Sequence, residues 1–426
     1  MKRIRGFLNF NPYLKDPEFT QATVQLSKSF KLNDIKSKDI AVMSGLIQYP
    51  KKWEKHTDIF QAILEEFREN FVQNKKVFFL FDASTEGFSP IYSEPFFDIL
   101  YKMCDDHKID PHRIFYISSN MKDNENIIRF NMENNRERSI NVFTFLNFEQ
   151  QILGVTGQTE VRLDQGIPLE KIINRRYKNA FRKTKELYSN LNNTEFSKIG
   201  LSLSRVNRPH RTYSAMQIYN SKYRNAFHLS HASLKGVNLD YLLQQQPFTN
   251  SGISYPQLKT FKQQLPLIVD TTDFKTNHAN GLHGELNEQT LFQLVNETHL
   301  NDWKGTSLFY SEKTFRSIYH MQPFLIWGQQ GLNRRFADYG YKLYDDWFDY
   351  SFDDIKDPVK RWNALWKEIT KKIDYIRDMR SLSQHIAWKF KNENVLKHNF
   401  RTLLEGKYTQ EIFKKMALRM REVADE

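Results

Sequence analysis

The hydrophobic pattern of this chain alternates between two kinds of segment. Short continuous apolar runs are separated by longer stretches in which apolar residues recur every third or fourth position. The clearest run is Val77-Phe78-Phe79-Leu80-Phe81, which ends in Asp82 and the loop Ala83-Ser84-Thr85-Glu86-Gly87. A run with no polar interruption suits a strand covered on both faces, as in a parallel sheet. Similar runs at 113–117, 140–145, 199–203, 265–269, 291–295 and 324–327 predict further strands, and residues 40–46 form a less certain opening segment. Between them, Ile59, Ile63, Phe67 and Phe71 follow Asp58 at helical spacing. Residues 93–103, 171–185, a stretch from about Tyr213 and a stretch from Glu312 to about Met321 also read as helices. From Asp357 onward the chain is helical, with Trp362, Leu365, Trp366, Ile369, Ile373 and Ile376 on one face.

Strands alternating with helices predict an α/β fold with parallel sheets and ligands outside the strands' carboxyl ends. A chain of 426 residues is longer than one core usually grows. The polar stretch 190–194 reads as a linker. The expected organisation is therefore a Rossmann-like domain over 1–190, a second over 195–356, and a helical tail over 357–426 that packs back on the body.

Composition narrows the classes. No apolar run reaches the ~20 residues of a membrane span, and Asn9, Asn11 and Pro12 interrupt the basic N-terminal stretch before a signal-peptide core could form. The single cysteine, Cys104, fits a reducing compartment, so a cytoplasmic protein is expected. The formal net charge of +12 implies attraction to polyanions such as nucleotides or nucleic acid, although a Lys-rich composition alone also gives it.

Candidate chemistry concentrates at two places in the second half. Ser204–Arg211 follows a strand, precedes a helix, and holds Arg205, Arg208 and Arg211 around Pro209. Guanidinium forks at a strand's end suit bidentate phosphate recognition; Arg208 is the first choice, and Arg211 is preferred slightly over Arg205. The other place is the segment from Asn296-Glu297-Thr298 to the helix opening Ser311-Glu312-Lys313. A helix start is a ready anion site, because its first amides lack partners and its dipole end is positive. Lys313 in that first turn opposes the dipole and makes sense if an anion sits there. Glu297 could line the same pocket or cap a neighbouring helix.

The segment Asn296-Glu297-Thr298, Tyr310-Ser311-Glu312-Lys313 and Pro323-Phe324-Leu325-Ile326-Trp327-Gly328 resembles the donor-binding signature of fucosyltransferase-like GT-B glycosyltransferases. In that family the Asn and Glu stand in the opposite order, and one residue fewer separates the Pro from the Gly. The resemblance covers residues 200–345 and implies a GT-B-like fold, two Rossmann-like domains facing each other across a cleft. It also implies an inverting, metal-independent transfer of sugar from a nucleotide-sugar co-substrate, with no other cofactor. Lys313 and an arginine of the 204–211 loop would neutralise the diphosphate, and Glu312 would accept from the ribose hydroxyls. The acceptor implied is a glycan. The charge and the basic helix at 171–185 allow a hydroxymethylated DNA base instead, flipped out for reaction. A base for the acceptor hydroxyl should come from the first domain, where Glu86 and Asp82 stand at a strand's carboxyl end. Glu86 is preferred and Asp82 orients its loop, unless both cap the following helix. The competing class is a non-catalytic, basic nucleic-acid-binding protein.

For metals the sequence offers His228-x-x-His231, His278 with His283, and the pairs Asp345-Asp346 and Asp353-Asp354, none with the partners of a complete site. No Asp-x-Asp occurs, and there is no P-loop or nucleophile elbow.

Overall fold

The computed structural model describes residues 41–46, 75, 77–84, 87–93, 95–149, 152, 167–189, 198–204, 206–269 and 284–425. Among these residues the apolar runs become two four-stranded sheets, and every ladder in them is parallel. The chain divides into two compact units, each built on one sheet.

The first unit runs β1 (Ala41–Leu46), β2 (Val77–Ala83), α1 (Phe96–His107), β3 (Ile114–Ser118), α2 (Asp123–Glu133) and β4 (Asn141–Thr144). Its sheet has the order β1-β2-β3-β4. The period of two in a strand sorts the phenylalanines of β2. Phe79 and Phe81 join Ile114 and Tyr116 under α1 and α2, whereas Phe78 and Leu80 face the other way with Phe115 and Ile117. Because both faces are covered, β2 tolerates no polar residue until Asp82. Cys104 is buried in α1, where burial pushes its thiol up to about 12.

The second unit contains α3 (Leu169–Ser189), β5 (Gly200–Ser204), α4 (Pro209–Tyr219), β6 (Phe227–His231), α5 (Leu239–Leu243), α6 (Tyr255–Gln263), α7 (Gly284–Glu288), β7 (Phe292–Asn296), α8 (Glu312–Tyr319) and β8 (Phe324–Trp327). Three more helices follow: α9 (Pro358–Arg377), α10 (Leu382–Lys389) and α11 (Glu393–Glu405). The strand order is β6-β5-β7-β8. The chain leaves β5 toward one edge and later returns on its other side as β7. That reversal opens a crevice beyond the carboxyl ends of β5 and β7, the place where open parallel sheets bind ligands.

The expected helical tail divides. α9 to α11 remain with the second unit, and the apolar stripe of α9 is buried as its spacing predicted except at Trp366, which is half-buried, with Asp357 capping its first turn through Lys360 N at 2.8 Å. The last helix, α12 (Lys407–Asp425), belongs to the first unit. There Ile412, Phe413, Met416, Met420 and Val423 cover the face formed by Phe78, Leu80, Phe115 and Ile117. The loop Asn301–Phe309 also belongs to the first unit, and the basic helix α3 to the second.

Some elements differ from the sequence reading. The strand expected at 265–269 is reduced to one antiparallel bridge, Leu267 to His231, because Pro266 lacks the amide a ladder needs. β6 was not foreseen, since Phe227-His-Leu-Ser-His reads as a polar mixture. The helix expected near Tyr213 begins earlier, with Pro209 in its first turn where a missing amide costs nothing. The helix expected at 58–71 lies outside the described residues. Among the described residues no helix is long and apolar enough to cross a membrane.

Candidate functional site

The crevice between β5 and β7 is fastened by a short polar chain. Asn296, the last residue of β7, donates from Nδ2 to Ser202 Oγ of β5 at 2.9 Å and accepts at Oδ1 from Ser214 Oγ of α4 at 2.8 Å. These groups are buried, and each bond satisfies an atom that would otherwise be costly to desolvate. The carboxyl ends of two strands and the first turns of α4 and α8 are thereby brought to one place.

Glu297 sets the second wall. It is fully buried, and its carboxylate accepts four hydrogen bonds. Oε1 takes Ser311 N at 3.0 Å and Thr314 Oγ1 at 2.6 Å, and Oε2 takes Ser311 Oγ at 2.5 Å and Thr298 N at 2.9 Å. Glu297 therefore caps the start of α8 together with Ser311, whose Oγ accepts from Lys313 N. Gly328, at the end of β8, allows this closure. A Cβ there would fall 3.1 Å from Glu297 Cβ and 3.3 Å from His299 O.

The backbone of the same residue organises the other wall. Glu297 O accepts from His210 Nε2 at 2.8 Å and from Arg211 Nε at 3.1 Å, and Trp327 Nε1 donates to His210 O at 3.2 Å. Arg211 is buried, and burial followed by neighbouring Arg208 lowers its guanidinium to about 10, so it stays charged at neutral pH. His210 is lowered to about 3 by burial and then by Arg211, with Arg208 and Lys313 also contributing. His299 is held well below its usual value by burial and then by Arg208, His210, Arg211 and Lys313. Both rings therefore stand neutral within one field of three cations, Arg208 and Arg211 from the start of α4 and Lys313 from the start of α8. Two stretches about a hundred residues apart in the chain converge here.

Lys313 is half-buried and lowered by burial, with Glu312 opposing; its Nζ donates to Glu312 Oε1 at 2.6 Å and to Ser311 Oγ at 3.2 Å. Burial raises the carboxyl of Glu312, but Lys313 and then Arg316 outweigh it and hold it low. With Arg208, Arg211, Lys313 and Arg316 set against Glu297 and Glu312, the cluster carries an excess of positive charge at two helix N-termini.

No family model and no curated relative matches the sequence. Among solved structures, the chain is similar to an α,α-trehalose-phosphate synthase (UDP-forming) from Burkholderia vietnamiensis, with a TM-score of 0.43 and 10% identity over 96% of this chain and 77% of that one.

The sequence candidates thus separate. Arg208, Arg211, Ser311, Glu312 and Lys313 meet at one site. Asn296 and Glu297 belong to it but do not line it: they are 1% and 0% exposed, with side chains committed to Ser202, Ser214, Ser311 and Thr314. Arg205 and Glu86 lie outside the described residues, as do His278 and His283; Asp82 is the penultimate residue of β2. His228 and His231 sit three apart on β6, so they point to opposite faces and cannot share an ion. Asp353 is buried, accepting from Asn333 Nδ2 and Arg334 N rather than facing solvent. The sequence reading passed over His210 and His299. The signal was the Pro-His-Arg run of residues 209–211, whose middle member lies among three cations in space but not in sequence.

Proposed function

We propose that the protein transfers a sugar from a nucleoside-diphosphate-sugar donor to an acceptor hydroxyl, with the donor's diphosphate held by Arg208, Arg211 and Lys313. One observation carries this reading: the buried guanidinium of Arg211 stands beside Arg208 and Lys313 at the crevice between β5 and β7. A dianion there offsets like-charge repulsion, and the same groups would stabilise negative charge building on a leaving nucleotide. Glu312 is the residue assigned to the ribose hydroxyls. The resemblance of residues 296–328 to the fucosyltransferase-like donor signature supports the same assignment. In this reading transfer is inverting and needs no metal, with Glu86 as the base and Asp82 orienting its loop.

The test is thermal stabilisation. Pyrophosphate, GDP, UDP and CDP are compared with nucleosides, at concentrations up to ~100 times the dissociation constant, where mass action adds about 2.7 kcal/mol. At least one nucleoside diphosphate should raise the Tm by about 5 °C, and Arg208→Ala should abolish the shift. No shift with any diphosphate overturns the assignment.

A second reading rests on α3. Lys171, Arg175, Lys178, Arg182 and Lys185 are exposed and recur at helical spacing along one face. That stripe favours a polyanion, either as a DNA acceptor or in a non-catalytic nucleic-acid-binding protein. Retention on duplex DNA that falls steeply with salt and is lost on reversing Lys171 and Lys178 supports this reading; salt-independent retention removes it.

A further inference from the structure

One corner of the second sheet is left unused by the cations of the donor site. Ser204 ends β5 and His231 ends β6, and the parallel register pairs them directly, so their side chains share a face. Ser202, two residues before Ser204, meets Asn296 and through it Ser214 of α4, so this is the face that α4 covers. Thr212 lies near the start of α4, two turns before Tyr219 on the same side of the helix. The Tyr219 ring packs 5.6 Å from Phe261 of α6, and the Phe261 ring stands 6.2 Å from that of His231. Thr212, Ser204 and His231 are therefore turned toward one corner.

All three are buried, at 0%, 2% and 1% exposure, yet among the described residues Thr212 Oγ1, Ser204 Oγ and His231 Nε2 make no hydrogen bond. Buried polar atoms are nearly always paired, and leaving one unpaired costs its full desolvation. The atoms themselves define what satisfies them. His231 Nδ1 lies 2.8 Å from Ala232 O, which can only accept, so the ring carries its hydrogen on Nδ1 and Nε2 is a bare acceptor. Burial and then Arg211 lower this ring to about 4, against the Ala232 bond, so Nε2 keeps its lone pair at neutral pH. An anion brings no hydrogen to Nε2, and Arg211 repels a cation. A neutral O–H or N–H group suits Nε2, and either hydroxyl can then accept or donate to complete it. The way in is held by an exposed strap: Asn207 Nδ2, after β5, donates to Ser233 O, after β6, at 2.6 Å. A solvent-exposed bond of this kind contributes little net and opens locally.

We infer that Ser204, Thr212 and His231 form a subsite that reads a neutral, hydrogen-donating group of the donor, beside the cations that take its diphosphate. This rests on the glycosyl-transfer reading above and adds the residues that set donor specificity. The group is a hydroxyl of the transferred sugar or an O–H or N–H of the nucleoside. A site built to hydrogen-bond such a group rejects an analogue lacking it far more strongly than an apolar pocket does, because its buried polar atoms are then left unpaired.

The test compares the full-length protein with Thr212→Val and Ser204→Ala, by thermal unfolding without ligand and by calorimetric titration. The ligands are pyrophosphate, UDP, GDP, UDP-glucose, UDP-N-acetylglucosamine, GDP-mannose and GDP-fucose. Deleting a buried hydroxyl that pairs with nothing in the protein removes only its desolvation cost, so the unliganded Tm of each variant should equal or exceed that of the wild type. Affinity for the sugar nucleotide that the wild type binds should fall at least fivefold in each variant, with pyrophosphate affinity held within twofold. An equal fall for the parent nucleoside diphosphate puts the group on the nucleoside, and a fall confined to the sugar nucleotide puts it on the sugar. The inference is overturned by a lower unliganded Tm in both variants, by unchanged affinity for every ligand, or by an equal fall for pyrophosphate. It is also overturned by a wild type that binds pyrophosphate and none of the sugar nucleotides. If the wild type does not bind pyrophosphate, the donor site itself fails and this subsite falls with it.

Discussion

At the carboxyl edge of the second sheet, three cations gather around two neutral histidines; at the same edge of the first sheet, carboxamides gather around a buried acid. Asp123 is fully buried, its Oδ1 accepting from Asn120 and Asn126 at 2.7 Å each. Burial raises its carboxyl well above the usual range, against the opposing hydrogen bonds from Ser118 and Asn126. Both edges come from parallel strands, so the backbone does not distinguish them. The difference lies in the segment that each strand leads into. In the second unit the strands run into helix starts carrying Arg and Lys, and in the first β3 runs into Ser118-Ser119-Asn120 and a loop supplied from residues 301–309.

The largest effect that sharpens this contrast is on turnover. Arg208→Ala or Lys313→Ala should each lower transfer or donor hydrolysis by about 10²–10³, the usual loss when one preorganised charge-stabilising donor is removed. Both side chains reach the surface in part, so the Tm should stay within a few degrees of wild type. Lys304→Ala in the first unit should change turnover by about threefold or less, because its exposed ammonium is screened by solvent and touches only the Tyr92 ring among its recorded contacts. Equal losses at the two edges would erase the distinction.

Next in size is Glu297→Ala. It strands Ser311 N, Ser311 Oγ, Thr314 Oγ1 and Thr298 N, all buried. A loss of about 3 kcal/mol in urea unfolding is expected, with a smaller loss for Glu297→Gln. No comparable carboxylate cap occurs in the described part of the first edge, so α2 should keep its amide protection in this variant while α8 loses it.

The two edges should also respond to pH with opposite sign. His210 and His231 are lowered to about 3 and about 4, chiefly by burial, so folding favours their neutral forms. Their contribution is present above the unfolded value near 6.5 and is lost as pH falls toward the folded values. Between pH 7 and pH 5 each histidine should cost the second unit about 2 kcal/mol. Protection factors for α4, corrected for intrinsic exchange, should fall over that window, and a flat profile would contradict the burial of both rings.

Much of this was legible in the sequence, and the physical reasons are specific. Residues 77–81 of β2 and all of β8 are apolar without interruption because both sheet faces are covered there, and α8 shows its start because Ser311 must cap it. The pairing of the Arg208 loop with Lys313 was readable because both segments come after strands, and parallel strands deliver their ends to one edge. The roles of Asn296 and Glu297 were not readable. A carboxylate that caps a helix and one that faces a ligand share the same sequence position, and only burial tells them apart. Nothing in residues 301–309 announced that they would leave the second unit for the first. Their anchor is a set of long-range bonds from Asn120 and Asn126 to backbone atoms, and backbone acceptors have no sequence signature.

The smallest predicted effect tests the first edge by itself. The folded value of Asp123 is raised, so its contribution is fully present below the unfolded carboxylate range and lost as pH rises through the folded value. Ionising a carboxyl that is fully buried should loosen the bonds of Asn120 and Asn126 and with them the hold on Thr306 O and Leu308 N. Protection at Thr306 and Leu308 should therefore decline as pH rises above the unfolded carboxylate range and through the raised folded value, the reverse of α4 on acidification. Asp123→Asn keeps an Oδ1 acceptor and removes the ionisation. It should flatten that decline at a stability change of about 1 kcal/mol, within the usual range for one hydrogen-bonded group. If the decline persists unchanged in Asp123→Asn, the loop is held by something other than this neutral acid, and the pH contrast between the two sheets rests on the histidines alone.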